Sequence, residues 1–337
     1  MLPRIEMGLL ADPTQAGAAA RAVEAWGFDG AVAFEGQHDP FLTLAMAARE
    51  TERLELGTAI AVAFARTPMT CAQLAQDLQR IARGRFWLGL GSQIRPHIER
   101  RFSMPWSRPA ARMREFVQAI RAIWKSWTTG ERLDFRGEFY THTLMTPFFS
   151  PGPCPFGDPP IFVAGVGPRM IEVAGEVADG LLVHPLNTPE FVAADVLPAL
   201  RRGLARRGRA ERDVALSCQT ITLLGTSEAE LARARAKARA QIAFYGSTPA
   251  YRVVLERHGW GDLQPRLNEL SKRGAWAEMV KLVDDDLLDA VTVAGAPAEA
   301  GRRLRRRNAA FARTSVVLYN ETAPDAVVDL VRGFREG

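Results

Sequence analysis

Short apolar runs alternate along the chain with longer stretches in which apolar residues recur every three or four positions. The runs at 5–10, 30–34, 54–62, 85–90, 160–164, 180–183, 214–224 and 315–319 have strand character. The stretches at 14–26, 41–52, 69–82, 109–127, 168–177, 189–207 and 297–312, and the one opening at Pro324, have helical character, with Asp12 and Thr14 as candidate caps of the first. A run at 291–294 reads as a short extra strand. Each early strand and helix together take about thirty residues, the span of a βαβ unit. Strict alternation of this kind predicts a parallel sheet. Eight such units predict one (β/α)8 TIM barrel over residues 1–337, with a doubly wound open sheet as the alternative.

Three stretches depart from the pattern. Residues 91–106 form a long loop with Arg95, His97, Arg100 and Arg101. A stretch from 130 to 160 has little periodicity and many Pro, Gly and Phe residues, so it reads as an excursion between strands four and five with the character of a lid. Its Phe135, Phe139, Tyr140, His142, Phe148 and Phe149 either line a partly apolar pocket or pack the lid onto the barrel. Residues 227–286 are mostly helical, broken at 246–249 and 258–262, and form an enlarged helical layer after strand seven.

Composition narrows the class. A chain of 337 residues, 47% hydrophobic and 24% charged, suits a soluble globular chain large enough for one big α/β barrel or two average domains. No signal-like leader or bilayer-length apolar run is evident, so a cytoplasmic protein without a membrane partner is expected. The net charge of +5 comes almost wholly from arginine, since lysine stands only at 125, 237, 272 and 281. The basic runs at 201–212 and 302–307 alternate with Ala, Leu and Gly and carry no interleaved aromatics, which favours solvated helix faces over a nucleic-acid surface. An anionic cofactor tail or substrate is compatible with the excess charge. Cys71, Cys154 and Cys218 are odd in number and widely spaced, so they read as packing residues rather than disulfide or zinc partners.

Candidate chemistry gathers where strands end. The apolar run 30–34 breaks into Glu35, Gly36, His38 and Asp39 before Pro40, as a buried strand does when it opens into a polar pocket. An ordinary loop, with Asp39 capping the next helix and His38 facing solvent, is the competing interpretation. Strand three ends in Leu56-Gly-Thr-Ala-Ile-Ala-Val-Ala63, and strand four in Gly89-Leu-Gly-Ser-Gln93, which offers Ser92 and Gln93 as hydrogen-bonding groups. Phe162-Val-Ala-Gly-Val-Gly-Pro-Arg169 joins strand five to its helix. Gly165 and Gly167 allow close approach of a ligand, the free amides of the helix start favour a phosphate, and Arg169 adds a charge. A ligand-free tight turn would need the same glycines. Met170 stands where a dinucleotide fingerprint requires its third glycine. The zincin, P-loop and nucleophile-elbow motifs are absent, and the five histidines never pair at helical ligand spacing, so no metal site is predicted.

Taken together these pieces resemble the bacterial luciferase-like superfamily, and within it the oxidoreductases that use the deazaflavin coenzyme F420. The resemblance rests on Leu56-Gly-Thr58, on Gly84-Arg85-Phe86 leading into Leu88-Gly-Leu-Gly91, on Glu-x-x-x-x-Ile-x-x-Ile-Trp from Glu115 to Trp124, and on Ala164-Gly-Val-Gly-Pro168 followed by Ala174-Gly-Glu-Val-Ala-Asp-Gly180. It implies a non-prolyl cis peptide at Ala59 and Ile60 behind the cofactor ring, a polar contact from Ser92, and a phosphate loop at Gly165, Val166 and Gly167. It also implies hydride transfer to or from a small organic molecule, and a homodimer. Glu35 aligns with an Asp that in relatives directly precedes the active-site His, yet here Gly36 follows and His38 lies two positions further on. Ile94 stands where relatives often carry a Glu. The catalytic expectation is therefore His38 as acid/base, with Glu35 or Asp39 orienting it. Alternatives are an FMN-dependent monooxygenase using oxygen, a metal-dependent barrel hydrolase, and a non-catalytic flavin-binding homologue.

Overall fold

Strand β1 (Arg4–Gly8) pairs in parallel with β2 (Gly30–Ala33) on one side and with β8 (Arg313–Leu318) on the other, so the sheet closes on itself. Around the ring follow β3 (Glu55–Thr58), β4 (Phe86–Gly91), β5 (Ile161–Gly165), β6 (Gly180–Val183) and β7 (Ala215–Leu224). The computed structural model describes residues 3–319 and 322–337. It is a (β/α)8 barrel, and the open-sheet alternative falls away because β7 joins β6 to β8. Thr292–Gly295 is the extra strand: it pairs only with the far half of β7, beyond the point where β6 ends.

Helices α1 (Pro13–Ala25), α2 (Pro40–Glu50), α3 (Pro68–Ile81), α4 (Pro109–Thr129), α5 (Pro168–Val177), α6 (Leu197–Ala205), α7 (Glu228–Gly246), α8 (Pro297–Arg307) and α9 (Pro324–Glu336) surround the barrel. Proline in the first turn recurs because its fixed φ suits that position and its missing N–H has no helical partner there anyway. Side chains of Asp12, Asp39, Thr67 and Ser227 cap α1, α2, α3 and α7. Four shorter helices after α7 complete the enlarged layer. No helix of the described residues is long and apolar enough to cross a membrane.

Most of the core lies between helices and barrel. A second, smaller cluster of Val32, Trp87, Phe162 and Leu182 fills the lumen. Glycine makes that possible, because a Cβ on Gly57 would stand 2.0 Å from the Trp87 ring and one on Gly180 would stand 2.1 Å from Phe162. Below this layer Glu6, fully buried, takes the Arg313 guanidinium on Oε1 and the Ser315 hydroxyl on Oε2 at 2.8 Å, and Arg313 continues to Glu55 at 2.7 Å.

Several boundaries differ from expectation. The apolar run 54–62 is not one strand: β3 stops at Thr58 and a two-residue piece, Ala61–Val62, resumes against Leu90 and Gly91. The helix expected over 297–312 ends at Arg307, and β8 begins at Arg313 rather than 315. Buried polar groups hide that boundary, since Asn308 bonds the Thr220 and Thr314 hydroxyls and Arg313 serves Glu6. Expected helix 189–207 contains a π turn, Val192–Val196, before α6. The excursion holds a small hairpin, Phe135–Arg136 with Thr141–His142. Of its aromatics, Tyr140 packs edge-on to Phe116, while Phe148 and Phe149 stand exposed. All three cysteines are buried and free.

Candidate functional site

Neighbouring residues of a strand face opposite ways, so the lumen residues fix what faces the barrel mouth. Two positions beyond Val32 comes Phe34, beyond Phe162 comes Ala164, beyond Leu182 comes His184, and beyond Trp87 come Gly89 and Gly91. Phe34 is 49% exposed and Leu10 is 65% exposed, so the mouth presents uncovered apolar surface at the C-terminal strand ends.

On one side of that mouth the peptide between Ala59 and Ile60 is cis, as the resemblance implied. Strand β4 is shaped to it. Thr58 Oγ1 donates to the Gly89 carbonyl at 2.7 Å and accepts the Gly89 N–H at 2.8 Å. A Cβ on Gly89 would lie 1.9 Å from the Thr58 carbonyl oxygen, and one on Gly91 would lie 2.7 Å from Ile60 Cγ1. The bulge also joins β2, since Ile60 O accepts the Glu35 N–H at 2.9 Å.

The loop after β2 is organised by an arginine. Glu35 Oε2 accepts from Arg66 Nη1 at 2.5 Å and from the Val62 N–H at 2.6 Å. Asp39 Oδ2 accepts from Arg66 Nη2 at 2.5 Å, and its Oδ1 caps α2 through the Phe41 N–H at 2.8 Å. Glu35 and Arg66 are nearly buried. The two carboxylates and the adjoining bonds lift the Arg66 pKa against the opposing effect of burial. Glu35 and Asp39 are thus brought together on Arg66, whereas His38 is exposed and makes no hydrogen bond to either. The expected Glu35–His38 pairing is not made here: Glu35 turns Oε2 to the Arg66 guanidinium and the Val62 amide, and both Asp39 oxygens are taken by Arg66 and the start of α2. Arg101 crosses from the loop after β4 to donate to the Gly36 carbonyl at 2.5 Å.

Ser92 and Gln93 sit at the end of β4, half-buried. Ser92 Oγ donates to the Gln93 carbonyl at 3.1 Å, and Gln93, at φ +59°, turns its own Oε1 to the Ile94 N–H. Across β5, Gly165, Val166 and Gly167 lead into α5, which no side chain caps. A Cβ on Gly165 would press on Ile171 at 3.1 Å, while Gly167 looks into open space. From Gly167 a groove of about 690 Å³ runs between α4 and α5, lined by Arg108, Arg114, Arg169, Arg206 and Glu172 among others. Arg114 and Arg206 bind Glu176, Arg206 also binds Glu172, and Arg108 binds Glu138. Arg169 is exposed and has no partner among the described residues. An uncapped helix start, a glycine with free space and an arginine-lined continuation suit a phosphate with further anionic groups behind it.

Two residues of the mouth escaped the sequence reading. Arg66 stood in view after strand three without a role, because its two carboxylate partners are 31 and 27 positions away. His184 follows directly on β6, the same strand-end signature that marked Glu35. Its ring lies 4.1 Å from Tyr251 and 4.6 Å from Tyr245. Burial pushes its pKa down to about 3, so the imidazole is neutral. Among the described residues no group of three His, Cys, Asp or Glu side chains is arranged to hold a metal.

Comparison with known proteins matches residues 3–314 to the family described as luciferase-like monooxygenase. An uncharacterized protein of Mycobacterium tuberculosis is 51% identical over 317 residues, covering 94% of this chain and 93% of that one. The 5,10-methylenetetrahydromethanopterin reductase of Archaeoglobus fulgidus is 29% identical over 291 residues, covering 84% and 81%. Among solved structures, the coenzyme F420 dependent tetrahydromethanopterin reductase from Methanopyrus kandleri superposes with a TM-score of 0.80 at 20% identity, covering 98% and 97%. The FMN complex of the oxygenating constituent of 3,6-diketocamphane monooxygenase from Pseudomonas putida gives 0.68 at 15% identity, covering 98% and 96%. At such identities the structural likeness speaks for the fold alone.

Proposed function

Because the chain belongs to the luciferase-like monooxygenase family, we propose that it is an oxidoreductase using coenzyme F420 to transfer a hydride to or from a small organic molecule. The observation that carries this reading is the arginine-lined groove leading away from the uncapped start of α5. FMN ends in one phosphate. The deazaflavin continues past its phosphate into a chain of carboxylates, which gives the groove something to bind. The relative named as a 5,10-methylenetetrahydromethanopterin reductase and the likeness to an F420 dependent reductase point the same way.

When bound, a deazaflavin supplies a ring carbon that gives or takes a hydride. The chain's part is orientation, exclusion of water and proton management. Phe34, the Ala59–Ile60 bulge and Gly91 form a flat apolar backing for the ring. Ser92 and Gln93 offer polar contacts at its edge, and Gly165, Val166, Gly167 and Arg169 hold the phosphate. Arg66 fixes the loop 35–39 through Glu35 and Asp39, and His38, exposed on that loop, passes the proton between substrate and solvent.

A monooxygenase using FMN and oxygen is the second reading, favoured by the likeness to the FMN-bound camphane enzyme. Titration of the protein with each cofactor, followed by fluorescence, decides between them. Tight binding of the deazaflavin with weak binding of FMN is expected; tight FMN binding without deazaflavin affinity overturns the proposal.

A further inference from the structure

The half of the mouth opposite the cis bulge is built from different chemistry. His184 follows β6, Tyr319 follows β8, and Tyr245 and Tyr251 come from the end of α7 and the turn after it. Tyr251 is tilted at 33° over the imidazole, Tyr245 meets it edge-on at 77°, and the Tyr319 side chain lies beside that of Tyr245. The imidazole is oriented by its backbone neighbours. His184 Nδ1 accepts the Leu186 N–H at 3.1 Å, so the ring proton resides on Nε2. The His184 carbonyl takes Asn187 Nδ2 at 2.6 Å, and the half-buried Arg307 donates to the carbonyls of Asn187 and Ala290, both at 2.8 Å, clamping the loop from behind. Nε2 has no partner among the described residues, and it is not among the enclosed polar atoms left without one, so it opens to the mouth.

From this geometry we propose that His184, walled by Tyr245, Tyr251 and Tyr319, is the substrate-recognition side of the site: its Nε2–H donates to a carbonyl or hydroxyl oxygen of an uncharged, ring-bearing or apolar substrate. The assignment rests on the hydride-transfer reading above and gives that reading a substrate class. Charge supports it. Burial alone lowers the His184 pKa, with no charged side chain near enough to act on the ring, and burial pushes Tyr251 and Tyr319 up to about 12. The wall is therefore four neutral groups, and a carboxylate or phosphate placed against it would be desolvated without a counter-charge. In the reducing direction the substrate carbonyl carbon would gain a hydride from the reduced cofactor, the C=O π pair would move to oxygen, and that oxygen would take one proton from solvent by way of His38. The two electrons would come from the deazaflavin when bound. Throughout, His184 holds the oxygen and keeps its own proton, acting as a fixed neutral donor aimed at developing charge.

The five histidines make the test direct. Full-length protein with ¹⁵N-labelled histidine is titrated, with and without deazaflavin, with acetophenone and with 4-acetylbenzoate, the same ketone carrying a carboxylate. The resonance missing from His184→Phe identifies the Nε2–H. Acetophenone is expected to shift it, and 4-acetylbenzoate to bind at least about tenfold more weakly. His184→Phe should weaken the ketone by about five- to tenfold, the weight of one neutral hydrogen bond. His184→Gln, which restores a donor at similar reach, should recover most of that, with deazaflavin affinity unchanged in both variants. A resonance unmoved by acetophenone, or a carboxylate that binds as well as the ketone, overturns the assignment. If the wild type fails to bind deazaflavin, the cofactor reading falls, while the ketone shift without cofactor still decides the wall.

Discussion

Glu35 Oε2 and Arg66 Nη1 lie 2.5 Å apart, and both side chains are almost out of reach of water. The pair joins the loop after β2 to the stretch after the cis bulge, and Asp39 extends it to the start of α2. Truncating one partner of such a pair leaves the other desolvated and unpaired. Arg66→Ala should therefore destabilise the fold by about 3 kcal/mol, read as a lower urea midpoint at an unchanged slope. His38→Ala, at an exposed position, should leave that midpoint in place and lower turnover. Normal turnover by His38→Ala would remove it from the proton path.

Glycine in β3 and β4 serves packing as well as the mouth. Gly57→Ala sets a methyl carbon 2.0 Å from the Trp87 ring, inside the lumen where nothing can withdraw cheaply. A loss of about 2 kcal/mol is expected, in the usual range for overpacking. Gly91→Ala meets Ile60 instead, at 2.7 Å. There the side chain of the bulge residue yields, so the expected result is near-normal stability with weakened cofactor affinity. Equal affinity in Gly91→Ala and wild type would show that the bulge does not back the ring.

The barrel was legible because most strands keep a short apolar run and each helix keeps its period. Legibility failed where buried polar chemistry replaced apolar signal. Arg313 and Thr314 read as part of a connection, yet they open β8, since Glu6 from the other end of the chain supplies the partner that lets an arginine sit in the lumen. The site shows the same limit. Glycines and the strand end at Glu35 pointed to the mouth from local sequence, and the cis peptide followed from the resemblance. The guanidinium that holds Glu35 and Asp39, and the tyrosines around His184, come from segments far away in the chain, so no spacing rule announces them.

Arg169 tests the groove. It is exposed and without a partner, so its replacement leaves packing intact. Arg169→Glu should weaken deazaflavin binding by about tenfold or more at low salt, with the deficit shrinking as ionic strength screens the groove. Binding of the deazaflavin core cut back to its ribityl chain, which has the ring system and no anion, should be unaffected. A deazaflavin affinity that ignores this charge reversal would place the anionic tail elsewhere.

The neutral state of His184 gives stability a pH dependence whose sign is fixed. Its pKa is lowered by burial from 6.5 to about 3 in the folded protein. Below 6.5 the unfolded chain takes up a proton there that the folded chain refuses. The favourable contribution is complete above that value and is lost progressively as pH falls toward 3. One such proton makes stability fall by up to about 1.4 kcal/mol for each pH unit of acidification within this window. Urea unfolding of wild type and His184→Phe from about pH 7 to about pH 4 should therefore give a shallower fall for the variant, by that increment, since carboxylates contribute equally to both. Parallel curves would mean that His184 protonates as readily in the folded protein as in the unfolded chain, and the mouth would then be wet and polar on its β6 side rather than a neutral aromatic wall.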